Sequence, residues 1–263
     1  MGKRKTSELR TQDTRFSHSK QKTSEKTFYT NQSKTIDFSQ AHREQQRVNK
    51  RPVTLVPKSL NQEKYILALL DENTDIVVVG GPAGTGKTYL AMQAAIKAMR
   101  DGECDRIILT RPAVGVDDEK HGFLPGDLNQ KMEPWTRPLL DVLREYYTAA
   151  EIAHMLEEQI VEIAPLAFCR GRNFKNSWIV LDEAQNATPS QLKMIMTRIG
   201  VNSKIVITGD IEQADRKTAD NGLLDLQNRL GKGVIPGLQL CHFDIKDVQR
   251  HRIIAHVLKL YAD

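Results

Sequence analysis

The sequence predicts an α/β fold with a doubly wound, mostly parallel sheet, and three observations lead to this prediction. Six short runs rich in β-branched residues alternate with longer segments of helical periodicity. Most of these runs are apolar throughout, which is typical of strands that helices cover on both faces. The length of 263 residues is enough for one domain of this class with extensions.

The predicted strands are short and rich in valine, isoleucine and leucine. In chain order they are Ile76–Val79, Ile107–Thr110, Ile160–Ile163, Trp178–Leu181, Ile205–Thr208 and Leu238–Phe243. Parallel strands need a crossover between them, so helices are expected in the intervening segments.

Helical periodicity appears between these strands and at both ends of the folded part. The predicted helices are Leu60–Leu70, Lys87–Met99, Leu139–Tyr147, Ile152–Glu158, Pro189–Gly200, Leu223–Leu230 and Asp247–Tyr261. The fifth is the most plainly marked, because Thr188 can cap it, Pro189 suits its first position and Gln191 can close a capping box. Gly200 and Gly231 are predicted to end the fifth and sixth helices.

Charge divides the chain into two parts. Residues 1–51 contain 13 lysine and arginine residues and 5 acidic residues, a net charge of +8, whereas residues 52–263 have a net charge of −3. The first part has few apolar residues and no period, so we predict a disordered basic N-terminal arm over 1–51 and a folded domain over 52–263. The arm is either a solubilising tail or linker, or a weak, salt-sensitive contact to nucleic acid or an anionic surface.

Several classes of protein are disfavoured by composition. No stretch approaches the roughly 20 apolar residues of a membrane span, and the first 30 residues lack the apolar core of a secretory signal. Cys104, Cys169 and Cys241 have no spacing typical of a metal site or a disulfide framework. We therefore predict a cytoplasmic protein with reduced cysteines and no membrane partner.

A complete phosphate-binding motif follows the first predicted strand. Residues 81–88 read GPAGTGKT, which matches GxxxxGK[ST] between a strand and a helix. In this motif backbone N–H groups hold phosphate, Lys87 reaches the β- and γ-phosphates, and Thr88 ligates Mg²⁺. The predicted nucleotide-binding residues are Gly81, Pro82, Ala83, Gly84, Thr85, Gly86, Lys87, Thr88 and Tyr89. A dinucleotide fingerprint would need glycine in place of Tyr89, so NAD is disfavoured.

Two adjacent carboxylates, Asp182 and Glu183, end the fourth predicted strand. A phosphate-binding loop needs a carboxylate on a neighbouring strand to hold Mg²⁺, often through water, and Asp182 fits this role. Glu183 can polarise an attacking water as a general base. The sequence thus predicts Thr88 and Asp182 as metal-binding residues, and Lys87, Asp182 and Glu183 as catalytic residues.

Two other predicted strands also end in polar residues. Thr208, Asp210 and Gln213 lie at the end of the fifth strand, and Arg111 and Pro112 follow the second. Ligands of open parallel sheets bind at the carboxyl ends of the strands, so these residues are placed to sense the γ-phosphate. Gln213 is therefore included among the catalytic candidates. An ordinary turn with ordinary caps is the alternative at each position.

Five segments, taken in order, resemble the PhoH family of P-loop ATPases. They are GPAGTGKT, ILTRP, GFLPGDLNQKMEPWTRPLLD, CRGRNFKNSWIVLDEAQN and KIVITGDIEQAD. The resemblance extends from about Leu55 to Leu260, and its part from His121 to Asp141 is not a generic ATPase feature. It implies a P-loop NTPase core similar to the first RecA-like domain of superfamily 1 helicases. It also implies Mg²⁺-dependent ATP hydrolysis, an RNA-linked, helicase-like role and homo-oligomeric rings, commonly hexamers.

The same resemblance assigns roles by position. It makes residues 81–88 the Walker A loop, Asp182 and Glu183 the Walker B acids, and residues 208–213 a helicase-like sensor motif. Asn61 and Gln62 resemble an adenine-reading segment, in which Gln62 bonds the adenine edge with its amide. An ordinary residue at a helix start is the alternative for Gln62.

The chain departs from the family near its end, where Arg250-His251-Arg252 replaces the usual Arg-His-Pro. An arginine finger stabilises charge on the transferred phosphoryl group. This chain has room for one such core, so a head-to-tail ring is expected, in which each subunit completes its neighbour's site. Arg250 is the first candidate for the finger and Arg252 the second; solvated charges on a helix are the alternative.

A segment with a hydrophobic tip, GFLPGD at residues 122–127, precedes Lys131, Trp135 and Arg137. Aromatic and basic side chains interleaved in this way can bind single-stranded nucleic acid. A packed surface loop with a core tryptophan is the alternative.

The function predicted from these features is Mg²⁺-dependent ATP hydrolysis coupled to RNA or single-stranded nucleic acid. A slow ATPase that acts as a nucleotide-dependent assembly module is the alternative from another class. A small-molecule P-loop kinase is disfavoured because the adjacent acids suit activation of water. A GTPase is disfavoured because no NKxD motif occurs.

Overall fold

The computed structural model describes residues 51–112, 137–214, 221–231 and 233–249. Within these ranges six strands form one sheet in the order β3-β2-β4-β5-β1-β6, and every neighbouring pair is parallel. The strands are β1 (Ile76–Gly80), β2 (Arg106–Arg111), β3 (Val161–Pro165), β4 (Ser177–Leu181), β5 (Lys204–Gly209) and β6 (Leu238–His242). The predicted α/β class with a parallel sheet is confirmed.

Helices connect these strands and cover the sheet. They are α1 (Leu60–Leu70), α2 (Lys87–Asp101), α3 (residues 137–144), α4 (Ala149–Glu157), α5 (Pro189–Met196) and α6 (Gly222–Leu230). Among the helices of the described ranges, none has both the length and the apolar character needed to cross a bilayer.

Two hydrophobic cores lie on opposite faces of the sheet. Alternate residues of β1 belong to different cores. Val77 and Val79 pack with α1 to α4, whereas Val78 packs with α5 and α6. Successive side chains of a strand point to opposite faces, so a strand buried on both faces has to be apolar at every position. This arrangement explains the uninterrupted apolar runs and is the doubly wound architecture that they predict.

The crevice for a ligand lies where β1 and β5 are neighbours. The helix that follows β1 packs on one face of the sheet, and the helix that follows β5 packs on the other. Connections that leave two adjacent strands in opposite directions open a cleft at the carboxyl ends of those strands. The glycine-rich loop after β1 therefore lies at the edge of this cleft.

One expectation about the sheet is wrong. Asp182 follows β4, which was expected to lie directly beside β1, but β5 lies between these two strands. Strand order depends on contacts between distant segments, and the local pattern of apolar residues contains no information about it. The distance between Thr88 and Asp182 is nevertheless short, as described below.

Several helix boundaries also differ from expectation, by three residues at the end of α3 and at the start of α4 and by more at the two places described next. Helix α5 has the predicted capping box at Thr188, but it ends at Met196 and not at Gly200. The chain leaves the helix early because the Arg198 carbonyl accepts a hydrogen bond from the backbone N–H of Phe174 at 2.9 Å. Gly200 then lies so close to Phe174 that a Cβ would be 2.3 Å from its carbonyl oxygen. Glycine is thus needed at this position for close packing and not as a helix cap.

The helix expected from Asp247 does not begin there. Asp247 lies in a short 3₁₀ turn, Ile245–Asp247, and Val248 and Gln249 are not helical. The Asp247 carboxylate accepts hydrogen bonds from the backbone N–H of Asp244 and from Asn61, both at 2.8 Å, which closes the turn.

Several predictions lie outside the described residues. They concern the arm over residues 1–50, the segment 122–127 with Lys131 and Trp135, and the arginines Arg250 and Arg252. These remain predictions, as does the boundary between the arm and the folded domain.

Candidate nucleotide and metal site

The glycine-rich loop runs from the end of β1 to the first residue of α2. Gly86, the residue before the helix, has φ of 85°, in the left-handed region that suits glycine. Helix α2 therefore begins at Lys87 and directs the N–H groups of its first turn toward the cleft. This geometry forms an anion-binding site from backbone groups and the helix dipole.

The Lys87 ammonium forms hydrogen bonds to the backbone of the glycine-rich loop. It donates to the carbonyl oxygens of Gly81 at 2.6 Å and Pro82 at 2.8 Å. Lys87 is buried, so its charge lies in a poorly solvated position beside the loop. An anion bound by the loop would gain from this charge more than it would at an exposed lysine.

Three residues from two segments, Gln62 and Tyr65 of α1 and Gln249 near the end of the described chain, form hydrogen bonds to the backbone of the loop. The Gln62 amide donates to the Thr85 carbonyl at 3.0 Å, and the Tyr65 hydroxyl donates to the Lys87 carbonyl at 3.2 Å. The backbone N–H of Gln249 donates to the Gly84 carbonyl at 2.8 Å. Burial raises the pKa of the Tyr65 phenol well above its usual value, so this hydroxyl stays a donor at physiological pH.

Asp182 lies at the centre of the polar side chains in the cleft. Its Oδ1 accepts hydrogen bonds from the hydroxyls of Thr88 at 2.7 Å and Thr208 at 2.6 Å. Its Oδ2 accepts from Arg111 Nε at 3.0 Å and also from Arg111 Nη2. The structure thus brings together the two residues predicted to bind metal, although they are 94 positions apart.

Glu183 has an unusual backbone conformation. Its φ of 56° and ψ of 40° are in the left-handed region, which costs a non-glycine residue roughly 1–3 kcal/mol. The turn directs the carboxylate toward the cleft, where Oε2 accepts from Gln185 Nε2 at 2.6 Å and Oε1 lies 3.9 Å from Arg111 Nη2. Strain of this kind often occurs at functional residues.

Gln185 is a site residue that we did not single out from the sequence. Its amide nitrogen bonds Glu183, and its amide oxygen accepts from the backbone N–H of Asp210 at 3.0 Å. Gln185 is buried and links the end of β4 to the end of β5. Its position two residues after Glu183 was the only sequence signal, and such a spacing does not indicate a bridge to another strand.

A cavity of about 380 Å³ lies beside the loop. Its lining brings together most of the predicted residues. It consists of Ala83, Gly84, Gly86, Lys87, Thr88, Tyr89, Arg111, Pro138, Val142, Asp182, Glu183, Gly209, Asp210 and Gln213. Thr208 is fully buried and is not part of this lining, but its hydroxyl donates a hydrogen bond to Asp182, which is.

Tyr89, Pro138 and Val142 contribute apolar surface to the lining of the cavity. The Tyr89 hydroxyl donates to Glu145 at 3.0 Å and accepts from Gln93 at 3.1 Å. Burial, followed by the hydrogen bond to Glu145, raises the pKa of Tyr89 to about 12. The ring is thus fixed by two polar partners and presents an uncharged surface beside the phosphate-binding loop.

The site fits Mg²⁺ better than a metal held by protein ligands alone. Within the described ranges, no group of three or more His, Cys, Asp and Glu side chains could hold a metal ion. Mg²⁺ commonly takes one or two protein oxygens, with water and substrate phosphates as its other ligands. The Thr88 hydroxyl and the Asp182 carboxylate supply such oxygens next to the loop.

Gln62 is not among the residues that line the cavity. It is buried, and both ends of its amide are engaged, since Oε1 accepts from the Lys58 N–H at 2.7 Å and Nε2 donates to Thr85. These contacts favour a role in holding the loop over direct reading of adenine.

The two roles of Gln62 make different predictions for Gln62→Ala. Loss of a buried hydrogen bond to the loop should weaken ATP and GTP binding by a similar factor, on the order of fivefold for about 1 kcal/mol. Equilibrium titration with both nucleotides measures the effect, with Asn73→Ala in an exposed turn as the control. If binding of ATP falls and binding of GTP does not, the adenine-reading role is correct instead.

Comparison with known proteins identifies relatives over most of the chain. The family described as PhoH-like protein matches residues 54–262. A PhoH-like protein of Synechocystis sp. is 44% identical over 204 residues, which cover 78% of this chain and 61% of that protein. A PhoH-like protein of Bacillus subtilis is 41% identical over 224 residues, which cover 85% of this chain and 69% of that protein.

A solved structure shares the fold. The large terminase of a thermophilic bacteriophage has a TM-score of 0.51 and 10% identity, and the match covers 79% of this chain and 51% of that one. The chain spans less than two thirds of the Synechocystis relative, so the match concerns a part of that protein. The extent of the family match and the identity to these relatives show that the chain belongs to the PhoH-like protein family.

Proposed function

We propose that the chain binds ATP in the 380 Å³ cavity and hydrolyses it with the help of Mg²⁺. The observation that carries this proposal is the hydrogen bond of 2.7 Å between Thr88 and Asp182, beside a loop of the GxxxxGK[ST] type. Thr88 and Asp182 are the residues that would hold Mg²⁺, Thr88 directly and Asp182 through water. When bound, Mg²⁺ supplies positive charge to the phosphate oxygens.

Each remaining residue has a separate task in this proposal. The backbone N–H groups of the loop and Lys87 hold the β- and γ-phosphates. Glu183 orients the attacking water and accepts its proton, and Gln185 keeps the carboxylate in position through the bond at 2.6 Å. Gln213 lies in the cavity lining, where it can contact the terminal phosphate or the water.

The proposal extends to coupling with RNA or single-stranded nucleic acid and to assembly into a ring, commonly a hexamer. Family membership and the net charge of +8 over residues 1–51 support a nucleic-acid partner. A ring would let Arg250 act on a neighbouring subunit's nucleotide. The backbone N–H of Gln249 donates to the Gly84 carbonyl of the same chain, so action of Arg250 on a neighbour rests on the ring and not on this contact.

Turnover of ATP with and without single-stranded polyuridylate tests the coupling. We expect RNA to raise turnover several-fold at low ionic strength and less as salt increases, because phosphate contacts weaken with salt. A native mass measurement on the same sample gives the number of subunits. Steady turnover that RNA does not change at any salt concentration would instead favour the slow ATPase that acts by assembly.

A further inference from the structure

We propose that Arg111 is an exchangeable counter-ion of Asp182. It bonds the carboxylate when no cation does, and it moves toward the terminal phosphate of the nucleotide when hydrated Mg²⁺ takes its place. The inference rests on the proposed function, because it concerns how the same site loads its metal and nucleotide.

Backbone pairing brings the two residues together. Arg111 is the last residue of β2, and β2 is hydrogen-bonded to β4, whose end leads into Asp182. The Asp182 N–H donates to the Thr110 carbonyl at 3.0 Å, which continues this pairing by one residue. Arg111 therefore reaches Asp182 from an adjacent strand.

The hydrogen bonds to Asp182 use its full acceptor capacity. A carboxylate offers about four lone-pair sites, two on each oxygen. Both sites of Oδ1 are taken by hydroxyls, and both sites of Oδ2 are taken by Nε and Nη2 of Arg111. A water molecule in the shell of a cation can therefore reach this carboxylate only if one of these donors leaves.

Arg111 is the donor that can leave. Thr88 can keep its hydrogen bond to Asp182 while its oxygen ligates a cation, because the hydroxyl is both donor and acceptor. Thr208 is fully buried, away from the solvent side from which a hydrated cation would approach. The Arg111 side chain is 17% exposed and lines the cavity, so its guanidinium can turn within the site.

A second acceptor lies within reach of the displaced guanidinium. Nη2 of Arg111 is 3.9 Å from Oε1 of Glu183, the carboxylate proposed to orient water. A guanidinium in this position can also bind two oxygens of a phosphate with parallel N–H groups. Exchange would thus move one positive charge from the metal ligand toward the reacting end of the nucleotide.

Binding of Mn²⁺ in the absence of nucleotide tests the proposal, with electron paramagnetic resonance to measure unbound ion. If Arg111 competes with the cation for Asp182, Arg111→Gln should bind Mn²⁺ about tenfold more tightly than the native protein. Arg111→Lys retains the charge but loses the paired N–H geometry, so its affinity should lie between the two. If the glutamine variant folds poorly, the Mn²⁺ affinity of the lysine variant can still be compared with that of the native protein.

Arg172→Gln is the matched control. Arg172 forms a paired contact with Glu162 on β3, outside the cavity lining, and its side chain is 34% exposed. This variant should bind Mn²⁺ as the native protein does.

Equal or weaker Mn²⁺ binding by both Arg111 variants would overturn the inference. That result leaves the proposed function intact as long as the native protein hydrolyses ATP. If the native protein neither binds nor hydrolyses ATP, it is the proposed function that fails, and the two failures are therefore distinguishable.

Discussion

Replacing Glu183 with glutamine is expected to lower ATP turnover about 10²–10⁴-fold, while ATP binding remains within a few-fold of native. Glutamine can keep a hydrogen bond to Gln185, but it cannot accept a proton from water at neutral pH. The left-handed backbone at Glu183 suits glutamine about as well as glutamate, so the fold should be unaffected.

Single-turnover hydrolysis together with equilibrium binding of ATP separates these two effects. Glu157→Gln is the control, because Glu157 is an exposed residue at the end of α4 and does not line the cavity. Native-like turnover in the Glu183 variant would remove this residue from its proposed role, and Gln213 would become the next candidate for orienting water.

Asp182→Asn is expected to have the other large effect, on stability as well as on binding. After the change, the amide oxygen can still accept hydrogen bonds from the two hydroxyls. The amide N–H₂ group, however, faces the Arg111 guanidinium, and both are donors. A hydrogen bond to a charged group contributes about 2 kcal/mol, and Asp182 is almost fully buried. We expect the free energy of unfolding to fall by about this amount and not more, because Arg111 can turn to Glu183.

Urea denaturation measures the change in the free energy of unfolding. Asp225→Asn is a matched control, since Asp225 pairs with Arg229 at 2.8 Å but on the surface of α6, where a pair of this kind contributes a few tenths of a kcal/mol. Equal destabilisation by the two substitutions would mean that the contacts of Asp182 contribute no more than an exposed ion pair.

Much of the fold could be predicted because its signals are local. The apolar runs predict strands buried on both faces, and all six strands occur within one or two residues of their predicted positions. Thr188, Pro189 and Gln191 predict the start of α5 for the same reason, as capping depends on residues within one turn. The end of α5 depends on Phe174, more than 20 positions earlier in the chain, and no local pattern includes it.

The residues of the site also divide into those that a local motif predicts and those that depend on distant contacts. The spacing from Gly81 to Thr88 is set by the backbone geometry of a phosphate-binding loop, so the motif itself contains the information. The contacts of Arg111 and Gln185 depend on which strands are neighbours and on their register. The hydrogen bond from Gln62 to the Thr85 carbonyl also depends on tertiary packing, and the sequence did not indicate it.

The central claim is that a nucleotide binds at residues 81–88 through a cation that Thr88 and Asp182 hold. The most direct test is the affinity for ATP measured with Mg²⁺ and with excess EDTA, in the native protein and in Asp182→Asn. The claim predicts that Mg²⁺ increases the affinity of the native protein about tenfold or more, and that most of this increase disappears in the variant. An affinity for ATP that does not depend on Mg²⁺, or a dependence that the variant retains in full, would contradict it.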